Sequence, residues 1–188
     1  MKSVLIFCGA NKGTNPIYEH GAKELATMLA KRKIDIITGG GSIGLMGAVA
    51  DATLAAGGKV TGIIPEFLNK MEVGHGGLSK MIIVDTMHER KMLMHDQCDA
   101  IIALPGGFGT LDELFESLTW AQLEQHIKPI GILNTGNYYD HLLQFVQHMC
   151  DEGMLKDHYQ DLFISADDPE ALISMMQNYV PPIVNQVY

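Results

Sequence analysis

The feature that most constrains this chain is a repeated handover: a short, almost continuous apolar run meets a turn, and helical spacing follows. "SVLIFCGA" gives way to "PIYEHGAKELATMLAKRK", "DIITGG" to "GLMGAVADATLAAGG", and "AIIALPGG" to "TLDELFESLTWAQLEQ". "KVTGIIP" adds a strand, "KMIIVDTM" precedes "HERKMLMHDQCD", and "KPIGILN" precedes "YYDHLLQFVQHMCDEG". Strands that are apolar at nearly every position are buried on both faces, and the helices between them supply the crossovers that parallel neighbours need. The pattern predicts an α/β fold, a doubly wound parallel sheet with helices on both faces.

"HYQDLFISADDPEALISMMQNYV" reads as a last short strand and a helix opened by Asp168 and Pro169. No linker or low-complexity segment interrupts the 188 residues, which suit a single α/β domain over residues 1–180. "PPIVNQVY", residues 181–188, has nothing to nucleate order and is expected to be a C-terminal tail. The net charge of −9 and the lack of a basic block argue against nucleic acid and anionic membrane as partners. Cys8, Cys98 and Cys150 are odd in number and far apart, so they are expected to be reduced core thiols. The first apolar run is too short for a signal-peptide core, and no run is long enough to cross a bilayer, so the expected location is cytoplasmic.

In an open α/β sheet, ligands bind beyond the carboxyl ends of the strands, where helix N-termini offer unpaired N–H groups. Two glycine turns are expected there. The first, "TGGGSIGLMG" at residues 38–47, sets Gly39, Gly41 and Gly44 as G-x-G-x-x-G between a strand and a helix. Such a turn serves close helix–strand packing or cradles a phosphate, and four glycines with Ser42 as an added donor favour the phosphate. The second, "PGGFGT" at residues 105–110, again follows a strand and opens a helix. Thr110 and Glu113 fit the T-x-x-E capping box, and spacing alone favours a cap for Glu113. Asp112, Glu113 and Glu116 crowd the same turns, but acids also complement a helix dipole, so cap and catalyst both stay open. "TMHERKML" places Arg90 and Lys91 near a helix start, where cations are disfavoured, and a bound anion explains them better than solvent does.

Taken together, "PGGFGTLDE", the upstream "MHERK" and "GGGSIGLMG" closely resemble the Lonely Guy (LOG) family of cytokinin-activating phosphoribohydrolases, often labelled lysine decarboxylase-like. The resemblance runs from the opening strand through the last helix. It implies a Rossmann-like fold and a homodimer or larger homo-oligomer. It also implies hydrolysis of the N-glycosidic bond of nucleoside 5′-monophosphates, AMP or cytokinin riboside monophosphates, to free base and ribose 5-phosphate. Arg90 and Glu113 map onto the family's catalytic pair. Gly40, Gly41, Ser42 and Gly44, with Gly106, Gly107, Gly109 and Thr110, map onto its nucleotide-binding loops, and Met87, Lys91 and Glu116 are expected beside the substrate. Asp112 stands where plant members commonly have Glu.

Breaking a ribosyl C–N bond builds positive charge at C1′, which a Glu113 carboxylate could stabilise while orienting or deprotonating water. Arg90 could hold substrate oxygens or ion-pair with Glu113. This scheme calls for no cofactor and no metal, and the His residues include no H-E-x-x-H; His141 and His148 share a helix face and read as surface or core. Two other readings compete. One is a non-catalytic nucleotide- or dinucleotide-binding protein using the 39–44 turn, with Glu66 imitating the ribose-binding acid. The other is lysine decarboxylation, which needs pyridoxal phosphate on a buried Lys. Apolar residues on the Met-rich helix at 87–98 and on the Trp120 helix point to self-association.

Overall fold

The computed structural model describes residues 1–72 and 74–182. Among these, seven strands form one wholly parallel sheet: β1 Ser3–Phe7, β2 Asp35–Thr38, β3 Val60–Pro65, β4 Lys80–Val84, β5 Ala100–Ala103, β6 Ile130–Leu133 and β7 Phe163–Ala166. Their spatial order is β4-β3-β2-β1-β5-β6-β7. The connecting helices are α1 Ile17–Lys31, α2 Gly44–Ala55, α3 Glu66–Glu72, α4 Met87–Asp96, α5 Phe108–Gln122, α6 Asp140–Asp151 and α7 Pro169–Gln177. The doubly wound, Rossmann-like reading of the sequence is therefore correct.

Residue alternation along β1 shows how the layers are built. Val4 and Ile6 pack with Leu25 and Leu29 of α1, Val49 of α2 and Leu172 of α7. Leu5 and Phe7 point the other way, into a core with Met94 of α4 and Leu114 and Ala121 of α5. Successive side chains of a strand face opposite sides, so a central strand must be apolar throughout. Burying each such Leu or Ile stabilises the fold by about 1.5–3 kcal/mol relative to exposure. The three thiols belong to this interior, where all are buried and free.

Three boundaries differ from the sequence reading. Helix α3 was not expected, and it follows Pro65 directly. Helix α6 starts at Asp140 rather than with the tyrosines before it. Helix α5 starts two residues before Thr110, with Gly107 at its N-cap and no side-chain cap. Asp168 caps α7 as expected, its carboxylate accepting from the Ala171 N–H at 2.8 Å, with Pro169 in the first turn. Of the expected tail at 181–188, residues 183–188 lie outside the described residues.

Strand order places the site. The chain winds outward from β1 to β4, then returns to β5 on the other side of β1. Loops leaving β1 and β5 consequently diverge, and the crevice between their carboxyl ends is the switch point at which such sheets take ligands.

Candidate active site

A cleft of about 450 Å³ opens at that switch point. It is bounded by the loop after β1 from Gly9 to Gly13, the start of α2, Arg90 of α4, and the turn from Pro105 to Thr110 with Glu113 of α5.

Arg90 owes its place to a well-capped helix. The Thr86 hydroxyl accepts from the Glu89 N–H at 3.1 Å, and the Glu89 carboxylate accepts from the Asp85 N–H at 3.0 Å. This is close to the capping box that spacing favoured for Thr110 and Glu113, one helix earlier and with Glu89 taking the N–H before the N-cap instead of that of Thr86 itself. The Arg90 guanidinium is buried, its Nε donating to the Ile63 carbonyl at 3.1 Å and its Nη1 resting 3.8 Å from the Met87 sulfur. A Cβ at Gly39 would fall on that guanidinium, so the first glycine turn makes room for Arg90. Among the described residues, no ion pair engages Arg90.

Glu113 is not a cap. Thr110 is the third residue of α5 and Glu113 the sixth, so the Glu113 carboxylate is a full turn from the unpaired N–H groups of the helix start. It lines the cleft instead. Burial raises its pKa to about 7, with Arg90 and then Lys91 drawing it down and Asp112 and Glu116 pushing it up.

Lys91 and Glu116 lie outside the cleft lining. The Lys91 ammonium reaches across from α4 to α5, 2.7 Å from Asp112, just before Glu113, and 3.4 Å from Glu116, three residues after it. Burial alone would lower the Lys91 pKa, but the Asp112 hydrogen bond and the charge of Glu116 outweigh it and raise it. Met87 touches Arg90 rather than the open cleft.

Gly40, Gly41, Ser42 and Gly44 are likewise absent from the lining, where Leu45 and Met46 appear instead. The turn's backbone is largely engaged: Gly40 N–H donates to Thr38 Oγ1 at 3.1 Å, Gly40 carbonyl accepts from His75 N–H at 2.9 Å, and Gly41 bridges Gly74. Gly44 has φ +64°, and a Cβ there would collide with the Ala10 backbone. This turn thus packs against the loop after β1, and the Leu45 N–H donates to the Gly9 carbonyl at 3.0 Å.

The second glycine turn does face the cleft, through Gly106, Gly107, Gly109 and Thr110. The loop after β1 lines it as well, with Asn11, Lys12 and Gly13, and Tyr18 and Tyr138 complete the lining. The sequence reading passed over these residues. "CGANKGTNP" did carry a signal, since it is the first of the strand-to-glycine handovers, but it lacks a familiar phosphate-loop spacing. Among the described residues, no three His, Cys, Asp or Glu side chains group as metal ligands would. His141 and His148 are exposed on α6.

A family described as "Possible lysine decarboxylase" matches residues 46–176. The chain is 42% identical over 180 residues to cytokinin riboside 5′-monophosphate phosphoribohydrolase LOG2 of Arabidopsis thaliana, covering 96% of this chain and 84% of the relative. It is 44% identical to the probable cytokinin riboside 5′-monophosphate phosphoribohydrolase LOGL9 of Oryza sativa subsp. japonica, covering 96% and 79%. Among solved structures, the molybdenum cofactor binding protein of Rippkaea orientalis superposes with a TM-score of 0.71 at 21% identity, covering 95% and 97% of the two chains. A likeness at that identity concerns the fold alone. The sequence matches carry the assignment further: this chain belongs to the LOG family, the one labelled possible lysine decarboxylase.

Proposed function

We propose that this protein is a phosphoribohydrolase that cleaves the N-glycosidic bond of nucleoside 5′-monophosphates, AMP or cytokinin riboside monophosphates, releasing base and ribose 5-phosphate. The observation that carries the reading is one cleft lined by the buried Arg90, the Glu113 carboxyl and a glycine-rich helix N-terminus. The relatives' names point to the same chemistry.

In this reading the 5′-phosphate docks on the N–H groups of Gly107, Gly109 and Thr110 at the start of α5, where helix dipole and unpaired donors favour an anion. The ribose then lies toward Glu113. As the C1′–N bond breaks, its electron pair leaves with the base nitrogen and positive charge builds on the ribose. Water adds at C1′ and gives its proton to Glu113, whose pKa near neutrality suits a general base and lets it release that proton for uptake by the departing base nitrogen. Arg90 donates to substrate oxygens, and its charge favours the ionised form of Glu113. Lys91 and Glu116 act from behind, through the α4–α5 brace; Gly44 and the Leu45 N–H pack against the loop that faces the phosphate turn, and Gly40, Gly41 and Ser42 act indirectly by shaping the first glycine turn.

The competing readings find less support. Glu66 pairs with Lys70 at 3.0 Å on α3 and does not line the cleft, which weakens it as a ribose-binding acid. Lys91 holds its proton more firmly than usual, the opposite of a Schiff-base lysine. We further propose a homodimer or larger assembly, and a cytoplasmic location in keeping with three free, buried thiols. No described helix is long and apolar enough to cross a membrane.

The deciding experiment incubates the protein, without added metal or pyridoxal phosphate, with AMP and its N6-isopentenyl analogue, and separates the products by chromatography. Free base and ribose 5-phosphate are expected, and Glu113→Gln should slow their release by roughly 10²- to 10⁴-fold. Tight nucleotide binding without base release would instead establish the binding-only reading.

A further inference from the structure

Tyr138 lies outside every motif of the sequence, yet it reaches the phosphate turn. Its hydroxyl donates to the Gly106 carbonyl at 2.6 Å. Its ring meets Tyr18 of α1 edge-on, with centroids 5.4 Å apart, and Tyr139 likewise at 4.9 Å. The Tyr139 hydroxyl donates to the Leu104 carbonyl, also at 2.6 Å. Two adjacent tyrosines thus hold two carbonyls of the segment that leads from β5 into α5.

The loop carrying them is built for the purpose. The buried Asn134 side chain accepts from the Tyr139 N–H at 2.7 Å and donates to Asp140 at 2.8 Å. The Asn137 N–H closes a turn onto the Asn134 carbonyl at 3.0 Å, with Gly136 and Asn137 both at φ +61°. Such left-handed residues are uncommon outside glycine, and Asn is among the few side chains that tolerate them.

What the tyrosine hydroxyl controls follows from peptide geometry. In a trans peptide the carbonyl and the N–H of one unit point in opposite directions. Anchoring the Gly106 carbonyl therefore fixes the direction of the Gly107 N–H. Neither residue has a side chain to do this, and a Cβ at Gly107 would touch nothing within 4 Å. Rotating this one peptide would exchange an N–H for a carbonyl oxygen at the mouth of α5, replacing partial positive charge with partial negative charge. The geometry points to Tyr138 as a positioning residue that locks the Gly106–Gly107 peptide in its anion-receiving orientation. The inference rests on the reading above, in which this turn takes the 5′-phosphate.

The test uses Tyr138→Phe, which keeps the ring contacts and removes the hydroxyl. Calorimetry measures binding of AMP, ribose 5-phosphate, inorganic phosphate and adenosine, beside KM and kcat for base release and the thermal midpoint. Affinity for the three phosphate ligands should fall together, by roughly five- to tenfold for one lost hydrogen bond. Adenosine affinity, kcat and the midpoint should stay within about twofold or unchanged, because the cleft and the ring stack remain. Tyr138→Leu, which also removes the stack, should weaken phosphate binding and lower the midpoint. Unchanged phosphate affinity in Tyr138→Phe, an equal loss for adenosine, or a fall in kcat with KM intact would each overturn the lock. Wild-type protein that binds the phosphates without releasing base would refute the hydrolase reading, and the binding comparison would still decide the role of Tyr138. Wild-type protein that binds none of the three phosphates would overturn both.

Discussion

Burial holds the Glu113 carboxyl near pKa 7, so at neutral pH about half of the molecules carry its proton, and activity and stability respond in opposite senses. If the ionised form takes the proton from water, kcat/KM rises through pH 7 and levels above it. Stability moves the other way. The carboxyl starts from 4.5 in the absence of burial, so between pH 4.5 and about 7 the native state holds more protons than the unfolded chain. Stability therefore falls as pH rises through that window and is flat on either side. Glu113→Gln cannot ionise and escapes this loss, so above pH 7 it should exceed wild type by on the order of 1–3 kcal/mol while losing activity. Denaturant unfolding of both proteins at pH 5 and pH 8 measures the difference; a variant less stable than wild type at pH 8 would mean that the charge stabilises the fold. The sequence could not separate cap from catalyst, because T-x-x-E occurs twice, at Thr86–Glu89 and at Thr110–Glu113. Only at the first does the threonine cap its helix, since α5 begins at Phe108, ahead of the apparent cap.

Helices α4 and α5 bring Arg90 and Glu113 to one cleft, and the ion triad of Lys91 with Asp112 and Glu116 ties them together beside that pair. An isolated exposed ion pair adds little, but Lys91 is mostly shielded, its side chain 15% exposed, and it satisfies two acids that both disfavour ionised Glu113. Lys91→Met should lower kcat and move the rising limb of the kcat/KM profile to higher pH, because a cation is lost and two carboxylates are left uncompensated. Lys91→Arg should restore much of the profile, having the charge and the reach. A pH–rate series on the three proteins reads this, and an unshifted limb in Lys91→Met would leave the brace without electrostatic influence. Element types were legible in the chain because buried parallel strands and amphipathic helices have distinct periods. Which glycine turn faces the cleft was not. The G-x-G-x-x-G match at 39–44 looks more like a phosphate loop than "CGANKG" does, but strand order seats the β1 loop at the switch point. Gly39 and Gly44 answer to close neighbours, the Arg90 guanidinium and the Ala10 backbone, that are far away in sequence.

At the scale of the whole molecule, the two edges of the sheet differ. β7 has no exposed residue, whereas β4 leaves Ile83 52% exposed at an edge that no further strand pairs with among the described residues. The helices packed on β3 and β4 add to that flank, with Phe67 and Met71 of α3 and Met92 of α4 each about half exposed or more. On the second of the expected helices Trp120 is half-buried, its ring meeting His95 edge-on at 4.9 Å. Of the expected pair of helices, α4 exposes Met92 and α5 exposes Phe108 at its first residue, while the flank of β4, α3 and α4 gathers Ile83, Phe67, Met71 and Met92. An edge strand with exposed aliphatic side chains invites pairing unless something covers it, and a second copy related by a two-fold axis covers both edges at once. A stable dimer would need to bury on the order of 800 Å² per subunit, so the contact must extend from β4 onto α3 and α4. Sedimentation velocity should accordingly find a dimer or larger species. The double substitution of Ile83→Glu and Met92→Glu, placing like charges across that contact, should shift it to monomer at micromolar concentration with the far-ultraviolet circular dichroism unchanged. A wild-type monomer, or a doubly substituted protein that stays assembled, would move the interface off this flank, and base release measured on the separated species would then show whether the cleft works within one chain.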